Sequence, residues 1–194
     1  SESSNNIGAG GGVYMTDRST FNMYDGTITG NQGEDGGGVE IKEYCTFNMY
    51  DGTIESNTAT GYGSRDYAGS GGGVSILGGT FNMSGGTIKN NTADNGGGVY
   101  VGYQGTLNMT GGEITSNKAN KAGSGMYVAA DSSGSKGYFK VSGSAKVSGN
   151  TTSNVYLPDG AMMAIGEGGL DDNASIGVTT ENPPAQGSYV AIAT

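Results

Sequence analysis

A short set of motifs returns through this chain at a nearly constant spacing, and this period constrains the fold more than any other feature. The motif Gly-Gly-Gly-Val begins at residues 10, 36, 71 and 96, and a degraded copy, Gly-Ser-Gly-Met, begins at residue 123. The spacings between successive copies are 26, 35, 25 and 27 residues. A period of about 20–50 residues indicates an architecture of stacked repeats, because one unit is too small to bury its own apolar residues.

Each unit has the pattern of β-strands. Thr-Phe-Asn-Met begins at residues 20, 46 and 80, with variants at 106 and 138, and Gly-Thr-Ile begins at 26, 52 and 86, with Gly-Glu-Ile at 112. Apolar and polar residues alternate in these stretches, and Gly, Asn and Asp separate them, which predicts three short strands per unit. Units stacked about 4.8 Å apart would align equivalent side chains in columns inside a tube. One such column is predicted to hold Phe21, Phe47, Phe81, Leu107 and Phe139.

The period also sets the predicted organisation of the chain, an all-β parallel β-solenoid. We predict about five three-strand coils that start near residues 10, 36, 71, 96 and 123, within a repeat region of residues 1–153. The asparagine that closes each unit is predicted to form a ladder of side-chain amides, through Asn31, Asn57, Asn91, Asn117 and Asn150. The longest unit carries a loop insertion at residues 58–70. The repeat is lost after Asn154, so residues 154–194 are predicted to be a C-terminal cap that covers the last coil.

The composition excludes several classes of function. The chain has 194 residues, a formal net charge of −9, no histidine and one cysteine. The negative charge argues against nucleic acid as a partner. The absence of histidine excludes a Ser-His-Asp triad, a Cys-His pair and a histidine-ligated metal site, and Cys45 has no second cysteine for an internal disulfide. No apolar run is long enough to span a bilayer, so we expect no membrane insertion by this segment.

The complete repeat, as it stands at residues 36–57, resembles the right-handed parallel β-helix repeats of large bacterial surface proteins. It is similar, more loosely, to the repeats of polymorphic outer-membrane proteins and autotransporter adhesins. Residues 155–160 and 177–181 look like the segment that closes such helices in surface proteins of gut Firmicutes. The resemblance implies a single-stranded, right-handed parallel β-helix, a secreted or wall-displayed protein, and an adhesive or spacer role. It implies no catalytic residues.

Two aspartates are the candidate metal ligands. Asp25 and Asp51 are 26 residues apart, so they are predicted to lie one above the other in neighbouring coils. Two carboxylates at that spacing resemble a calcium site or the pair of a retaining glycosidase. The alternative is that Asp25-Gly26 and Asp51-Gly52 are turn dipeptides, since later units carry Gly-Gly in their place.

Tyrosines are the candidate ligand-binding residues. Tyr24 and Tyr50 precede the two aspartates and are predicted to stack at the outer surface, where aromatic rings beside polar groups suit a sugar. The alternative is ordinary cross-strand tyrosine packing. The loop insertion has a high density of residue types used in recognition, in Tyr62, Arg65, Asp66 and Tyr67.

These observations predict a non-enzymatic extracellular module, secreted or on the cell surface, that acts as an adhesin or a ligand-presenting stalk. The expected partners are glycans or surface proteins of a host or of bacteria, and the module is expected to be a monomer within a longer chain. No cofactor is expected, and calcium is the one candidate ion. Two alternatives stay open. One is a polysaccharide lyase or glycoside hydrolase, because parallel β-helices often host such enzymes, and the other is a purely structural spacer of a larger surface protein.

Overall fold

The fold is that of a computed structural model, which describes residues 10–61, 69–130 and 136–182. All regular structure in these three ranges is β-strand, and no helix occurs among them. The described residues therefore contain no helix that could cross a membrane. The period-two pattern of the repeat correctly predicted this all-β content, because alternating short runs separated by glycine cannot form an apolar helical stripe.

The strands follow one another around successive turns of the chain. The first four turns hold four strands each, which are β1 (Val13–Met15), β2 (Thr20–Met23), β3 (Thr27–Thr29), β4 (Gln32–Gly33), β5 (Val39–Ile41), β6 (Thr46–Met49), β7 (Thr53–Glu55), β8 (Thr58–Ala59), β9 (Val74–Leu77), β10 (Thr80–Met83), β11 (Thr87–Lys89), β12 (Thr92–Asn95), β13 (Val99–Gly102), β14 (Thr106–Met109), β15 (Glu113–Thr115) and β16 (Lys118–Ala122). The remaining strands are β17 (Met126–Val128), β18 (Tyr138–Gly143), β19 (Lys146–Val147), β20 (Val155–Leu157), β21 (Met163–Leu170), β22 (Ser175–Ile176) and β23 (Val178–Thr180).

Equivalent strands of successive turns stack in parallel into four sheets. Sheet 1 has the order β1-β5-β9-β13-β17-β20-β23, sheet 2 β2-β6-β10-β14-β18-β21, sheet 3 β3-β7-β11-β15-β19-β22, and sheet 4 β4-β8-β12-β16. The register follows the sequence repeat, so that Phe21 is paired with Phe47, and Phe47 with Phe81. The predicted parallel β-solenoid is confirmed.

The structure differs from the sequence prediction in two respects. Sheets 2 and 3 have six strands each, so the solenoid has about six turns, close to the predicted number of about five but one turn longer. The sixth turn lies in residues 155–176, within the predicted cap, where Val155 still pairs with Met126 and Met163 with Phe139. Apolar residues stay in register there although the glycine triplets are gone. The second difference is sheet 4, because three strands per unit were predicted and the first four turns have four. Its first two strands are each two residues long, which is too short to show an alternation of apolar and polar residues.

The interior of the tube is a set of apolar columns. Phe47, Phe81 and Phe139 are fully buried, and the neighbouring columns have fully buried side chains at Met49, Met83, Met109, Ile54, Ile88 and Ile114. The rings of Phe47 and Phe81 are stacked with centroids 4.7 Å apart. Phe21 is only partly buried, because β2 is the terminal strand of sheet 2. The stacking therefore supplies the burial that a single turn could not.

The predicted asparagine ladder is present at the corner between sheets 3 and 4. Asn57 is representative: its Oδ1 accepts hydrogen bonds from N and Nδ2 of Asn31 at 2.9 and 3.0 Å, and its Nδ2 donates to Oδ1 of Asn91 at 3.0 Å and to the carbonyl oxygen of Ile28 at 2.9 Å. The same pattern runs on through Asn117 and Asn150 and ends at Asn154. The ladder satisfies backbone groups that the turn leaves without partners.

The glycine triplets lie where neighbouring turns approach most closely. A Cβ atom on Gly37 would lie 2.5 Å from the carbonyl oxygen of Gly72 in the next turn and 2.5 Å from the carbonyl carbon of Thr58. No side chain can be placed there without moving the backbone. This close approach explains why the triplet recurs in the sequence.

Candidate functional site

The predicted tyrosine pair lies on the outside of the solenoid. Tyr24 and Tyr50 are stacked with ring centroids 4.9 Å apart and an angle of 7° between the rings. The two side chains are 68% and 47% exposed. Each ring uses one face for the stack, and the column stops there because Ser84 is the equivalent residue in the next turn. The predicted stacking is confirmed, and the binding of a ligand by these rings stays a prediction.

The two predicted calcium ligands have the geometry of turn residues. Asp25 and Asp51 are both exposed. Oδ1 of Asp25 accepts a hydrogen bond from the N–H of Gly26 at 2.6 Å, and Oδ1 of Asp51 accepts one from the N–H of Gly52 at 2.8 Å. Among the described residues no group of three or more His, Cys, Asp or Glu side chains could hold a metal ion. The observed bonds thus fit the turn interpretation.

The predicted binding residues of the loop insertion, Tyr62, Arg65, Asp66 and Tyr67, lie outside the described residues. The two ends of the insertion are described, and both are attached to the preceding turn. The N–H groups of Gly61 and Gly69 each donate to the carbonyl oxygen of Glu34 at 3.2 Å. Residues 58 and 59, which the prediction placed in the insertion, form strand β8 of sheet 4.

Two acidic residues are buried next to this attachment, and sequence reasoning did not find them. Asp35 and Glu40 are both fully buried. Oδ1 of Asp35 accepts a hydrogen bond from the N–H of Gly69 at 3.0 Å, and Glu40 forms a salt bridge with Lys42. Burial, together with the nearby charges of Glu40 and Glu34, raises the pKa of Asp35 from 3.8 to about 6, against the opposing effects of the Gly69 N–H and of Lys42.

The signal for Asp35 was present in the repeat. Asp35 occupies the slot directly before a glycine triplet, where the next turns carry Ser70, Asn95 and Ala122. A charged residue in a slot that otherwise holds small or neutral side chains indicates a local environment different from that of the other turns.

The outer face of sheet 1 carries a column of tyrosines that pack on one another. Tyr100, Tyr127 and Tyr156 are stacked, with centroids 5.6 and 5.5 Å apart. Tyr100 is buried in a small cluster with Leu77 and Ala129. Burial raises the pKa of Tyr127 above its usual value of 10.0. These rings fit the structural role of cross-strand packing and leave little surface for a ligand.

Three other tyrosines line an open groove where strands of sheet 1 lead into strands of sheet 2. We call it the corner groove; its volume is about 520 Å³, and it is lined by Tyr14, Thr16, Asp17, Arg18, Lys42, Glu43, Tyr44, Leu77 and Tyr103. Tyr44 is 67% exposed and Tyr103 48% exposed. The guanidinium carbon of Arg18 lies 4.6 Å from the centre of the Tyr44 ring, within the range of a cation–π contact.

Sequence reasoning missed the corner groove because its tyrosines do not share a repeat slot. Tyr44 lies two residues before a sheet 2 strand and Tyr103 lies three residues before one. Connections of different length bring them to the same corner. The chemistry that this corner offers is aromatic contact together with hydrogen bonds from acidic, basic and amide side chains, which suits the binding of a polar ligand.

Comparisons of the chain with protein-family models, with curated proteins and with solved structures find no match. The structure supports the parallel β-helix repeat itself, and the similarity to bacterial adhesin repeats stays a prediction.

Proposed function

We propose that the chain is a non-enzymatic binding module of the extracellular cell surface, an adhesin or ligand-presenting stalk whose ligands are glycans or surface proteins. The observation that carries the proposal is the placement of exposed tyrosines on the outside of a regular solenoid, first among them the stacked pair Tyr24 and Tyr50. Tyrosine is enriched at interfaces because it offers both an apolar face and a hydroxyl.

The solenoid supports such a role because it fixes the position of each surface group. Parallel hydrogen bonding holds every turn to its neighbours, and the asparagine ladder adds side-chain bonds at one corner. Ligand-binding groups on a rigid frame lose little conformational entropy when they bind. A cell-surface location would expose this frame to glycans and proteins of other surfaces.

An enzymatic role has less support from the described residues. General acid and base catalysis needs titratable groups that converge on a substrate. Asp25 and Asp51 each accept a hydrogen bond from their own turn, and Asp35 and Glu40 are buried. A spacer role would use the same regular frame without any ligand, so a binding measurement separates it from the proposal.

A screen of the purified chain on a glycan array and on an array of surface proteins, with and without calcium, tests the proposal. We expect binding to at least one glycan or protein, with no release of reducing sugars or unsaturated uronates from a bound polysaccharide. The double variant Tyr24→Ala/Tyr50→Ala is expected to weaken this binding. Tyr138→Ala, which removes a similarly exposed tyrosine from the outside of sheet 2, is the matched control.

The proposal is wrong if product is released from a bound polysaccharide, since the chain would then be an enzyme. It is equally wrong if neither array gives a ligand, which would favour the spacer.

A further inference from the structure

The geometry points to a binding site for one sugar ring of a neutral oligosaccharide, between Tyr44 and Tyr103. This inference rests on the proposed function and adds to it the place and the class of the ligand. The site is a notch of about 320 Å³ beside the corner groove, lined by Glu43, Tyr44, Gly78, Tyr103 and Gln104. It shares Glu43 and both tyrosines with the corner groove, so the two form one continuous surface.

The notch exists because one connection is shorter than its neighbours. Sheet 1 strands are joined to sheet 2 strands by residues 16–19, 42–45, 78–79 and 103–105 in the first four turns. The third connection has only Gly78 and Gly79, which carry no side chains. The second and fourth connections carry tyrosines, so a gap lies between two walls that each bear an aromatic ring.

Gly78 keeps the gap open for a steric reason. A Cβ atom on Gly78 would lie 2.6 Å from Cγ of Glu43, and Gly78 has a φ of +85°. Gly79 faces the interior instead, where a Cβ atom would lie 2.5 Å from Cγ2 of the buried Ile41. The third turn therefore passes this corner as bare backbone, and no side chain of its own fills the space between the tyrosines.

The width of the notch suits one sugar ring. Tyr44 and Tyr103 belong to the second and fourth turns, so their backbones are about 10 Å apart at two strand spacings. Carbon atoms in contact lie about 3.5–4.0 Å apart, so two rings on these backbones can both contact a single puckered ring lying between them. Arg18 covers one face of Tyr44, which leaves the opposite face for a ligand.

The backbone at both tyrosines is in an uncommon conformation. Eight described non-glycine residues have positive φ, and the aromatic ones among them are Tyr44 at 63° and Tyr103 at 53°. Aromatic side chains rarely adopt this region, because the Cβ atom crowds the following carbonyl. Strained positions of this kind are concentrated at ligand-binding sites. Here the strained conformations occur at the two tyrosines on either side of the connection formed by Gly78 and Gly79.

The charges around the notch favour a neutral ligand. Lys42 is paired with the buried Glu40, so Asp17 and Glu43 face Arg18 alone and the combined surface has one excess negative charge. An anionic ligand would find no excess of positive charge there. The carboxylate of Glu43 can accept hydrogen bonds from sugar hydroxyls, and the amide of Gln104 can both donate and accept them.

Titration of the full chain with neutral trisaccharides, followed by NMR, tests the inference. The probes are cellotriose, maltotriose and xylotriose, with trigalacturonate as the charged comparison. We expect at least one neutral probe to bind with a Kd below about 10 mM. Tyr44→Ala and Tyr103→Ala are each expected to weaken that binding by about tenfold or more, because each removes one ring of the sandwich.

Two controls keep the result interpretable. Tyr138→Ala removes an exposed tyrosine outside the notch and is expected to leave the Kd within about twofold. Tyr44→Gly removes the ring while suiting the positive φ, so it keeps the test valid even if Tyr44→Ala folds poorly.

The inference is overturned if no neutral trisaccharide binds, if trigalacturonate binds more tightly, or if loss of both rings leaves the Kd unchanged. Its failure can be told apart from failure of the proposed function. A ligand from either array that binds the wild-type chain and the notch variants equally well would leave the proposed function standing and place the site elsewhere.

Discussion

The corner between sheets 3 and 4 and the corner between sheets 1 and 2 differ in how closely they follow the repeat. The first carries an asparagine at every turn from Asn31 to Asn150, and the side-chain Nδ2 of each donates to Oδ1 of the asparagine in the next turn. The second has connections of four, four, two and three residues in the first four turns, with unlike side chains. The regular corner satisfies backbone groups and stabilises the stack, whereas the irregular corner produces a groove. In a solenoid, candidate binding surfaces are therefore best sought where the repeat is broken.

The largest expected effect on stability comes from a substitution in the buried interior, on which both corners depend. Phe81 is fully buried between the rings and side chains of adjacent turns. Phe81→Asp would place a carboxylate in the interior, at a cost above about 5 kcal/mol, comparable to the whole stability of a domain. We expect loss of the cooperative unfolding transition, monitored by circular dichroism. A cooperative transition near the wild-type temperature would show that the interior columns are wrongly assigned.

A smaller effect is expected from breaking the regular corner alone. The side chain of Asn91 accepts two hydrogen bonds from Asn57, and donates to the carbonyl oxygen of Ile54 and to Oδ1 of Asn117. Asn91→Ala removes these four bonds and leaves buried groups without partners, which should lower the free energy of unfolding by about 3–5 kcal/mol. Denaturant unfolding measures this loss.

The matched control for that variant is an asparagine of an outer ladder. Asn82 donates to Asn48 and accepts from Asn108, but it is not fully buried. Asn82→Ala is expected to cost less than about 1 kcal/mol, because water replaces the lost bonds. Equal losses for the two variants would contradict the special role given to the regular corner.

The buried Asp35 predicts a dependence of stability on pH. Its folded pKa of about 6 is above its usual value of 3.8, so the folded state holds a proton that the unfolded state has released. The contribution of Asp35 to stability is therefore fully present below about pH 4 and is lost as pH rises through about 6, by about 3 kcal/mol in total. Asp35→Asn should remove this decline and raise stability at pH 7.

Unfolding free energies of wild type and Asp35→Asn, measured between pH 4 and pH 8, check this sign. The difference between the two proteins should grow with pH up to about 6 and then stay constant. A difference that shrinks as pH rises would mean that Asp35 is stabilised as a carboxylate, and the assigned effect of its burial would be wrong.

The smallest effect on stability is expected at the irregular corner. Tyr44 is exposed and has a positive φ, which glycine adopts without strain. Tyr44→Gly removes the cation–π contact with Arg18 but also removes the backbone strain of a tyrosine with positive φ. Because these two effects oppose each other, the free energy of unfolding should change by less than about 1 kcal/mol. Thermal unfolding checks this. A loss as large as that expected for Asn91→Ala would make the irregular corner structural.

The sequence was sufficient to predict the features that depend on the same residue type at equivalent positions of successive repeats. The Phe column and the asparagine ladder could be derived because each turn supplies the same side chain at the same place. The sixth turn was missed because only apolar positions such as Val155 and Met163 are kept there, without the glycine motifs. The fourth sheet was missed because its first two strands, β4 and β8, are only two residues long and show no alternation.

The candidate site was predictable only in part. The stacked pair Tyr24 and Tyr50 followed from a shared slot. The notch could not be predicted in this way. Tyr44 and Tyr103 lie on either side of a connection shortened to Gly78 and Gly79, and the spacing of residues along the chain does not show which connections lie next to each other. Asp35 differs from its repeat equivalents Ser70, Asn95 and Ala122, but its burial could not be predicted from that difference because it depends on neighbouring turns and on the attachment of the insertion.

The most direct test of the different roles of the two corners is the glycan array repeated with the double variant Tyr44→Ala/Tyr103→Ala, at equal concentrations of protein verified as folded. We expect the free energy of unfolding of the variant to lie within about 1 kcal/mol of the wild-type value, and glycan binding to be lost. A variant that keeps wild-type glycan binding, or one that unfolds as readily as Asn91→Ala, would contradict the division between a stabilising regular corner and a binding irregular one.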